Sequence, residues 1–258
     1  MDKTEYIENI AVLIDADNAQ LSKLKSVLEE ISTYGRIVVK RAYGDWKNPV
    51  LKNWEKVLKQ LAIKPEQQFA YTIGKNATDI SLVIGAMDLL HTNMYDAFVL
   101  VCSDSDYTPL AIRLREAGVY VFGVGESKTP PSFRNACDNF ILTQNLIESA
   151  KSARHTGSAE TEGTAEAATL AAAPTKTQQS GIRQIHGFLK TASDKYQDAD
   201  GWVNLSAAGS YMKRVLPDFD PKTYGFSKLA DLIRAFPKKY ETKTYPGKGT
   251  TIFLYKCL

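Results

Sequence analysis

Short apolar runs alternate with longer stretches of helical period over the first 145 residues. Runs at 10–14, 36–42, 97–101, 119–124 and 139–143, with a weaker one at 68–73, have the length and Val/Ile content of buried strands. Between them the apolar positions recur every three or four residues. Leu21, Leu24, Leu28 and Ile31 share one helical face. Over 50–63, Leu51, Trp54, Leu58 and Leu61 point inward, and over 78–91 Ile80, Val83, Ile84, Met87 and Leu90 do the same. The stretch 107–117 repeats the pattern with Leu110, Ala111 and Leu114, tolerates Pro109 in its first turn and stops at Gly118. Thr129-Pro130-Pro131-Ser132 opens a short helix ending at Cys137. Strands alternating with helices of this length predict βαβ crossovers, hence an α/β domain with a mostly parallel sheet between two helical layers.

The pattern then changes. Residues 151–179 are Ala, Thr, Glu, Gly and Ser without aromatics, the composition of a flexible linker. From 180 a small second domain begins. An amphipathic helix carries Ile182, Ile185, Phe188 and Leu189, and Trp202-Val203-Asn204-Leu205-Ser206 is a short extended piece whose Ser206 caps a helix over 207–215. A third helix is expected over 226–236, and two period-two runs, 239–245 and 250–256, flank Pro246-Gly247-Lys248-Gly249. Three helices and a terminal hairpin predict a winged helix. The division is therefore 1–150, 151–179 and 180–258.

The candidate chemistry lies where strands end. Val101-Cys102 runs into Ser103-Asp104-Ser105-Asp106, Ile14 into Asp15-Ala16-Asp17-Asn18, and Asp79 opens the 78–91 helix. In an open parallel sheet all these transitions fall on the carboxyl edge, where such folds place their sites. The plain alternative is that the aspartates cap helices. If Asp15, Asp79, Asp104 and Asp106 converge, each pair of charges about 4 Å apart costs roughly 4 kcal/mol at an effective dielectric near 20. Such a group persists by taking up protons or cations. Oxygen ligands without His or Cys favour Mg²⁺ or Mn²⁺ over zinc, and two such ions activate water at a phosphodiester.

Composition and charge narrow the classes. The apolar runs reach about six residues, against the ~20 that span a bilayer, and the first nine residues lack a signal-peptide pattern. Cys102, Cys137 and Cys257 form no CxxC pair, which points to a reducing cytoplasmic setting rather than a disulfide framework. There is no phosphate-binding glycine loop, no GxSxG and no Cys/His pair. A haloacid-dehalogenase-type reading of Asp15-Ala16-Asp17 lacks the threonine expected at position 19, which is Ala19. The net charge of +3 is unevenly spread: residues 175–258 hold 14 Lys/Arg against 7 Asp/Glu, while residues 1–174 hold 18 against 22. An acidic front with a basic tail suggests that one part holds cations and the other a polyanion.

Four stretches in this order resemble an NYN domain of the PIN-like nucleases: Leu13-Ile14-Asp15-Ala16-Asp17-Asn18, Lys75-Asn76-Ala77-Thr78-Asp79-Ile80, Val101-Cys102-Ser103-Asp104-Ser105-Asp106-Tyr107 and Thr129-Pro130-Pro131-Ser132-Phe133-Arg134-Asn135-Ala136-Cys137. The tail resembles a LOTUS (OST-HTH) module through Trp202–Ser206 and Tyr224-Gly225-Phe226-Ser227-Lys228-Leu229-Ala230-Asp231-Leu232-Ile233. The pairing implies RNA as partner, a Mg²⁺- or Mn²⁺-dependent ribonuclease, and a PIN-like fold. By the resemblance Asp15 is the central metal ligand, Asp79 and Asp104 are further ligands, and Asp106 is a ligand or base. Asn18 and Ser103 then meet substrate or orient the strand ends, with local turn hydrogen bonds as the alternative. Lys75 meets a phosphate. Relatives carry an acidic residue six positions after Asp79, where this chain has Gly85. Asp88 is the nearby carboxylate able to replace it. The gap keeps open a second reading, an RNA-binding adaptor that cleaves poorly, and a homodimer is left open as well.

In the tail, Lys213, Arg214, Lys228 and Lys248 are candidate phosphate contacts. Tyr211, Tyr224, Phe226, Tyr240 and Tyr245 are interleaved with the basic residues. Exposed rings stack on bases and buried ones build the core. Phe226 is read as core, and Tyr245, beside the hairpin turn, as an exposed stacking residue.

Overall fold

A computed structural model describes residues 7–69, 76–146, 176–198, 200–246 and 251–258, with the side chains of 176–180 and 251 left aside. The contacts divide the chain into two compact units, Met1–Lys151 and Ser152–Leu258.

The first unit is built on six parallel strands, β1 (Asn9–Asp15), β2 (Arg36–Gly44), β3 (Lys64–Gln67), β4 (Ala97–Val101), β5 (Tyr120–Gly125) and β6 (Asn139–Leu142), in the order β3-β2-β1-β4-β5-β6. The helices are α1 (Leu24–Ile31), α2 (Trp54–Leu61), α3 (Ala77–His91), α4 (Thr108–Glu116) and α5 (Pro131–Ala136). Both faces of the sheet are covered, so the central strands carry apolar side chains in both directions. Ala11 and Leu13 of β1 and Phe98 and Leu100 of β4 pack with Leu82, Ala86, Leu110 and Leu114. Ile10, Val12 and Ile14, with Val99 and Val101, pack on the other side with Leu24, Val27, Trp54 and Leu58.

In this unit three expectations are corrected. The third strand is Lys64–Gln67, ahead of the expected 68–73; Gln68 and Phe69 are not strand, and 70–73 lies outside the described residues. The second helix is shorter than 50–63, because Ala62 turns into the left-handed conformation (φ 50°) and closes it. On α3 the buried residues are Leu82, Gly85, Ala86, Leu89 and Leu90, whereas Ile80 and Ile84 are 60% and 56% exposed. That helix is apolar nearly all round, so its period cannot say which side faces the sheet.

The second unit contains α6 (Lys176–Tyr196), β7 (Val203–Asn204), α7 (Leu205–Val215), α8 (Leu229–Arg234), β8 (Tyr240–Pro246) and β9 (Thr251–Cys257). The strands form an antiparallel sheet in the order β7-β9-β8. Ile185, Leu189, Met212, Leu232, Ile233, Phe253 and Tyr255 form its core. The buried Tyr255 hydroxyl donates to the Leu189 carbonyl (2.9 Å). The α7 cap is Asn204, whose side chain accepts from the Ser206 N–H, rather than Ser206. Lys228 is extended (φ −141°, ψ 159°) just ahead of α8, so the third helix is six residues long instead of the expected 226–236. Among the described residues no helix is long and apolar enough to cross a membrane.

Candidate functional site

In the strand order β3-β2-β1-β4-β5-β6 the direction of winding reverses between β1 and β4. The two chain segments leaving these neighbours diverge to opposite sides of the sheet and open a crevice at the carboxyl edge. Asp15 is the last residue of β1. Asp104 follows the end of β4 by three positions and caps the helical turn Ser105–Tyr107, its Oδ1 accepting from the Asp106 N–H (3.0 Å). Asp79 lies in the first turn of α3. Capping and placement at the crevice are thus not alternatives for Asp104, which does both.

Asp15 is fully buried. Its Oδ1 accepts the N–H groups of Asp17 (3.0 Å) and Asn18 (3.3 Å), and its Oδ2 accepts from Asn18 Nδ2 (2.8 Å). The Tyr107 hydroxyl lies 3.1 Å from Asp15 Oδ2 and 2.7 Å from Asp79 Oδ1. Tyr107 has no solvent exposure, so this phenol is a closed bridge between two carboxylates. A phenol has one hydrogen and cannot donate fully to both. Burial raises the Asp15 carboxyl above its ordinary value; the Asn18 hydrogen bond opposes the shift and the Asp79 charge adds to it. Burial and the Asp15 charge hold Tyr107 protonated, far above the usual phenol range, and the same two causes raise the Cys102 thiol.

Asp106 is exposed and its Oδ2 accepts from Asn76 Nδ2 (3.1 Å), which ties the turn after β4 to the start of α3. Ser103 Oγ accepts from the Glu126 N–H (3.2 Å) and fastens the end of β4 to the end of β5. Asn18 therefore makes the local bond that was the alternative to substrate contact, whereas the Ser103 bond joins two strand ends 23 positions apart. Asp88 is exposed on α3; its charge bears on the Tyr43 phenol. Lys75 and Lys248 lie outside the described residues.

The position of the missing acid is occupied by a ring. A Cβ built on Gly85 would run into the Tyr43 hydroxyl and lie 3.0 Å from Cζ. Tyr43 pairs with Asp15 across β1 and β2 and is buried. Its hydroxyl has no hydrogen bond of good geometry, although Arg41 stands near enough to oppose the upward shift that burial imposes on the phenol.

The carboxylate oxygens are suitable donors for Mg²⁺ or Mn²⁺. Their spacing does not fit such an ion in this conformation: among the described residues no three His, Cys, Asp or Glu side chains come together around one position. A hydroxyl stands between Asp15 and Asp79 where a shared cation would have to stand.

Sequence reasoning assigned no role to Tyr107, Asn76 or Tyr43. Tyr107 had a signal: it directly follows the Ser-Asp-Ser-Asp turn, and a tyrosine there carries a polar tip into the space beneath the acids. Tyr43 had none, since its partner Gly85 is 42 positions away in the chain.

In the second unit, Tyr245 is 49% exposed, as is fitting for a stacking residue, and its cross-strand partner Ile252 is 40% exposed. Lys243 Nζ sits 4.0 Å from the Trp202 ring centroid on the sheet's outer face. Tyr240 is buried in the core, and Phe226, Tyr211 and Tyr224 pack against it partly buried. Lys213 is half-buried, Arg214 donates to the Tyr196 hydroxyl (3.2 Å), and Lys228 is exposed.

An all-parallel sheet between helical layers, with aspartates at the point where its winding reverses, defines a PIN-like α/β/α domain. Residues 9–149 match the NYN domain model, and the chain belongs to that family. Residues 179–252 match the OST-HTH/LOTUS domain. Among solved structures, a protein of unknown function from Vibrio parahaemolyticus matches with 18% identity, over 54% of this chain and 94% of its own, at a TM-score of 0.45. An uncharacterized protein from Nitrosomonas europaea matches with 25% identity, over 40% of this chain and 90% of its own, at a TM-score of 0.26. No curated protein matches.

Proposed function

We propose that the protein is a divalent-metal-dependent ribonuclease acting in RNA processing or turnover. In this reading the NYN unit carries the reaction and the LOTUS unit holds the RNA. The observation that carries it is the placement of Asp15, Asp79, Asp104 and Asp106 at one sheet edge, at the reversal of strand order. A divalent ion there would supply an activated water and charge neutralisation. The roles of the chain's own residues follow from their bonds. Asn18 orients Asp15, Asn76 orients Asp106, and Ser103 fixes the strand end on which Asp104 stands. In the tail, Tyr245 offers a ring to an unpaired base, and Lys213, Arg214, Lys228 and Lys248 offer charge to phosphates. Joining both units in one chain raises the effective concentration of captured RNA at the acidic edge. The expected setting is the cytoplasm.

The test compares wild type with Asp15→Asn and Asp104→Asn on single-stranded and structured RNA with Mn²⁺ or Mg²⁺. Cleavage by wild type that both substitutions abolish supports the reading. Cleavage that is absent, or unaltered by both, rejects it. The second reading, a regulatory adaptor that binds RNA and cuts poorly, draws on the ring that fills the place of a carboxylate at Gly85.

A further inference from the structure

The first unit carries its charge in two parts. Residues 36–69, which form β2, α2 and β3, hold 8 Lys/Arg against 3 Asp/Glu, whereas the rest of residues 1–150 holds 8 against 16. The three acids of the basic part are already engaged. Glu55 pairs with Lys59 (2.6 Å), and Glu66 with Lys64 (2.8 Å) and Arg41 (3.7 Å). Asp45 Oδ1 accepts from the Lys47 N–H (3.2 Å) and from Gln67 Nε2 (2.8 Å). Lys47, Lys52 and Lys56 are exposed, and their ammonium groups form no ion pair among the described residues. Lys52 and Lys56 stand four apart, off the buried side marked by Leu51, Trp54 and Leu58.

An aromatic ring stands beside Lys47. Phe69 follows the end of β3 by two positions and is 50% exposed, and Lys47 Nζ lies 4.9 Å from its ring centroid. The ring belongs to neither core cluster of this unit. The backbone that carries the pair is braced. Trp46 donates its N–H to Gln67 Oε1 (3.0 Å) and its Nε1 to the Glu66 carbonyl (3.0 Å), and the Gln68 N–H donates to the Gly44 carbonyl (3.2 Å). None of these bonds occupies the Phe69 ring or the Lys47 ammonium. The pair lies on the same sheet edge as Asp15. The Ala16 N–H donates to the Tyr43 carbonyl (2.9 Å), and β3 lies two strand spacings, about 10 Å, from β1.

We infer that Phe69 and Lys47 form a nucleotide-binding subsite on the NYN unit: a base of single-stranded RNA stacks on the Phe69 ring, the Lys47 ammonium meets the adjoining phosphate, and Lys52 and Lys56 extend the track. An ammonium over an exposed ring is held more weakly than a base stacked on one, so the base takes the ring and Lys47 turns to the phosphate. The acidic remainder of the unit repels a polyanion, and the basic flank supplies the attraction that brings a strand up to the edge. An acidic peptide would use the lysines and leave the ring idle; a nucleotide uses both. The inference takes RNA as partner from the proposed function and adds that the NYN unit grips the strand itself, besides what the tail holds.

The experiment measures binding of a fluorescein-labelled oligouridine to the full chain by anisotropy, in EDTA and over a range of salt, with thermal melts confirming that each variant is folded. The tail is common to all variants, so differences between them report on the first unit. Phe69→Leu is expected to weaken binding roughly tenfold, equivalent to about 1.4 kcal/mol, with the salt slope unchanged; Phe69→Trp should restore wild-type affinity. Lys47→Ala should lower the slope of log K against log salt by about 0.7, the share of one single-strand phosphate contact, and Lys47→Arg should keep it. With 4-thiouridine in the oligonucleotide, ultraviolet light should attach RNA to the segment holding Phe69. Wild-type affinity in Phe69→Leu overturns the subsite, even where Lys47→Ala binds less well, because the surface is then a plain basic patch open to any polyanion. Crosslinks confined to residues 176–258 overturn it as well. The outcome is separable from the nuclease reading. Weakened binding by Phe69→Leu with no cleavage by wild type in Mn²⁺ keeps the subsite and removes the nuclease, whereas cleavage with equal binding by Phe69→Leu does the reverse.

Discussion

Gly85→Ala places a methyl group where Tyr43 already is. In an open helix the change is favourable by about 1 kcal/mol, since glycine loses more backbone freedom on folding than alanine. At Gly85 the new Cβ would run into the Tyr43 hydroxyl and lie 3.0 Å from Cζ and 3.3 Å from Cε1. Tyr43 cannot yield cheaply, because its ring is 2% exposed and packed among Leu82, Ala86 and Leu13. Overpacking of this kind costs about 1–3 kcal/mol, and a contact this short belongs at the upper end. The net expectation is a destabilisation of about 1–2 kcal/mol, or roughly 3–8 °C in Tm for a unit of this size.

The matched control is Gly187→Ala in α6, where a Cβ meets nothing within 4 Å. It should stabilise the second unit by about 0.5–1 kcal/mol. A double-mutant cycle supplies the decisive measurement. Tyr43→Phe removes the clashing oxygen, and because that hydroxyl lacks a good hydrogen bond its loss alone costs little. In the Tyr43→Phe background the Gly85→Ala penalty should shrink by at least ~1 kcal/mol, a coupling well outside the error of additivity. Urea melts of the four proteins read the cycle. If Gly85→Ala stabilises the NYN unit, or its effect is the same with and without the Tyr43 hydroxyl, the packing account of Gly85 is refuted. The same geometry implies that Gly85→Asp does not by itself restore the carboxylate missing at that position.

Asp15→Asn should stabilise the fold at neutral pH. The raised pKa means that the native state holds the Asp15 proton to higher pH than the unfolded chain, so wild-type stability falls as pH rises from the ordinary value of 3.8 through the folded-state value. The variant's advantage therefore grows over that interval and is absent below it; urea melts at pH 3.5 and 7.5 that differ equally from wild type would contradict this. Asp104→Ala should cost about 1 kcal/mol through loss of the cap over Ser105–Tyr107, whereas Asp104→Asn keeps an acceptor there and should cost a few tenths, so thermal melts of the pair separate capping from charge. Removing residues 176–258 should weaken RNA binding and flatten its dependence on salt, because fewer phosphate contacts release fewer ions; an unchanged slope of log K against log salt would place the RNA contacts elsewhere.

The layered fold was legible because its signal is repetitive. Strand and helix periods alternate, and each strand end carries a turn residue or an acid. Ile80 and Ile84 were misread for a definite reason: where apolar residues surround a helix, the pattern reports that it is a helix and not which side is covered. The third strand was misplaced because Lys64-Pro65-Glu66-Gln67 is polar. It is an edge strand paired only with β2, so no apolar alternation is demanded of it.

The acidic edge was legible to the level of which aspartates share it, since strand order alone brings Asp15 beside Asp104 and the helix start brings in Asp79. What joins them was not, and the difference follows from range. Capping by Asp104 and the Asn18–Asp15 bond act across two or three residues and leave local motifs. Tyr107 reaches Asp15 across 92 positions and Asp79 across 28, and Tyr43 meets Gly85 from another strand. In both cases a tyrosine reads as an ordinary core residue, because its ring does belong to the core. The ring is set by burial and the hydroxyl by what it meets at the far end. One gives the carboxylates of Asp15 and Asp79 a shared donor, and the other decides whether position 85 can hold a side chain at all. The chemistry available at this edge is therefore governed by the tips of two buried rings as much as by the four aspartates.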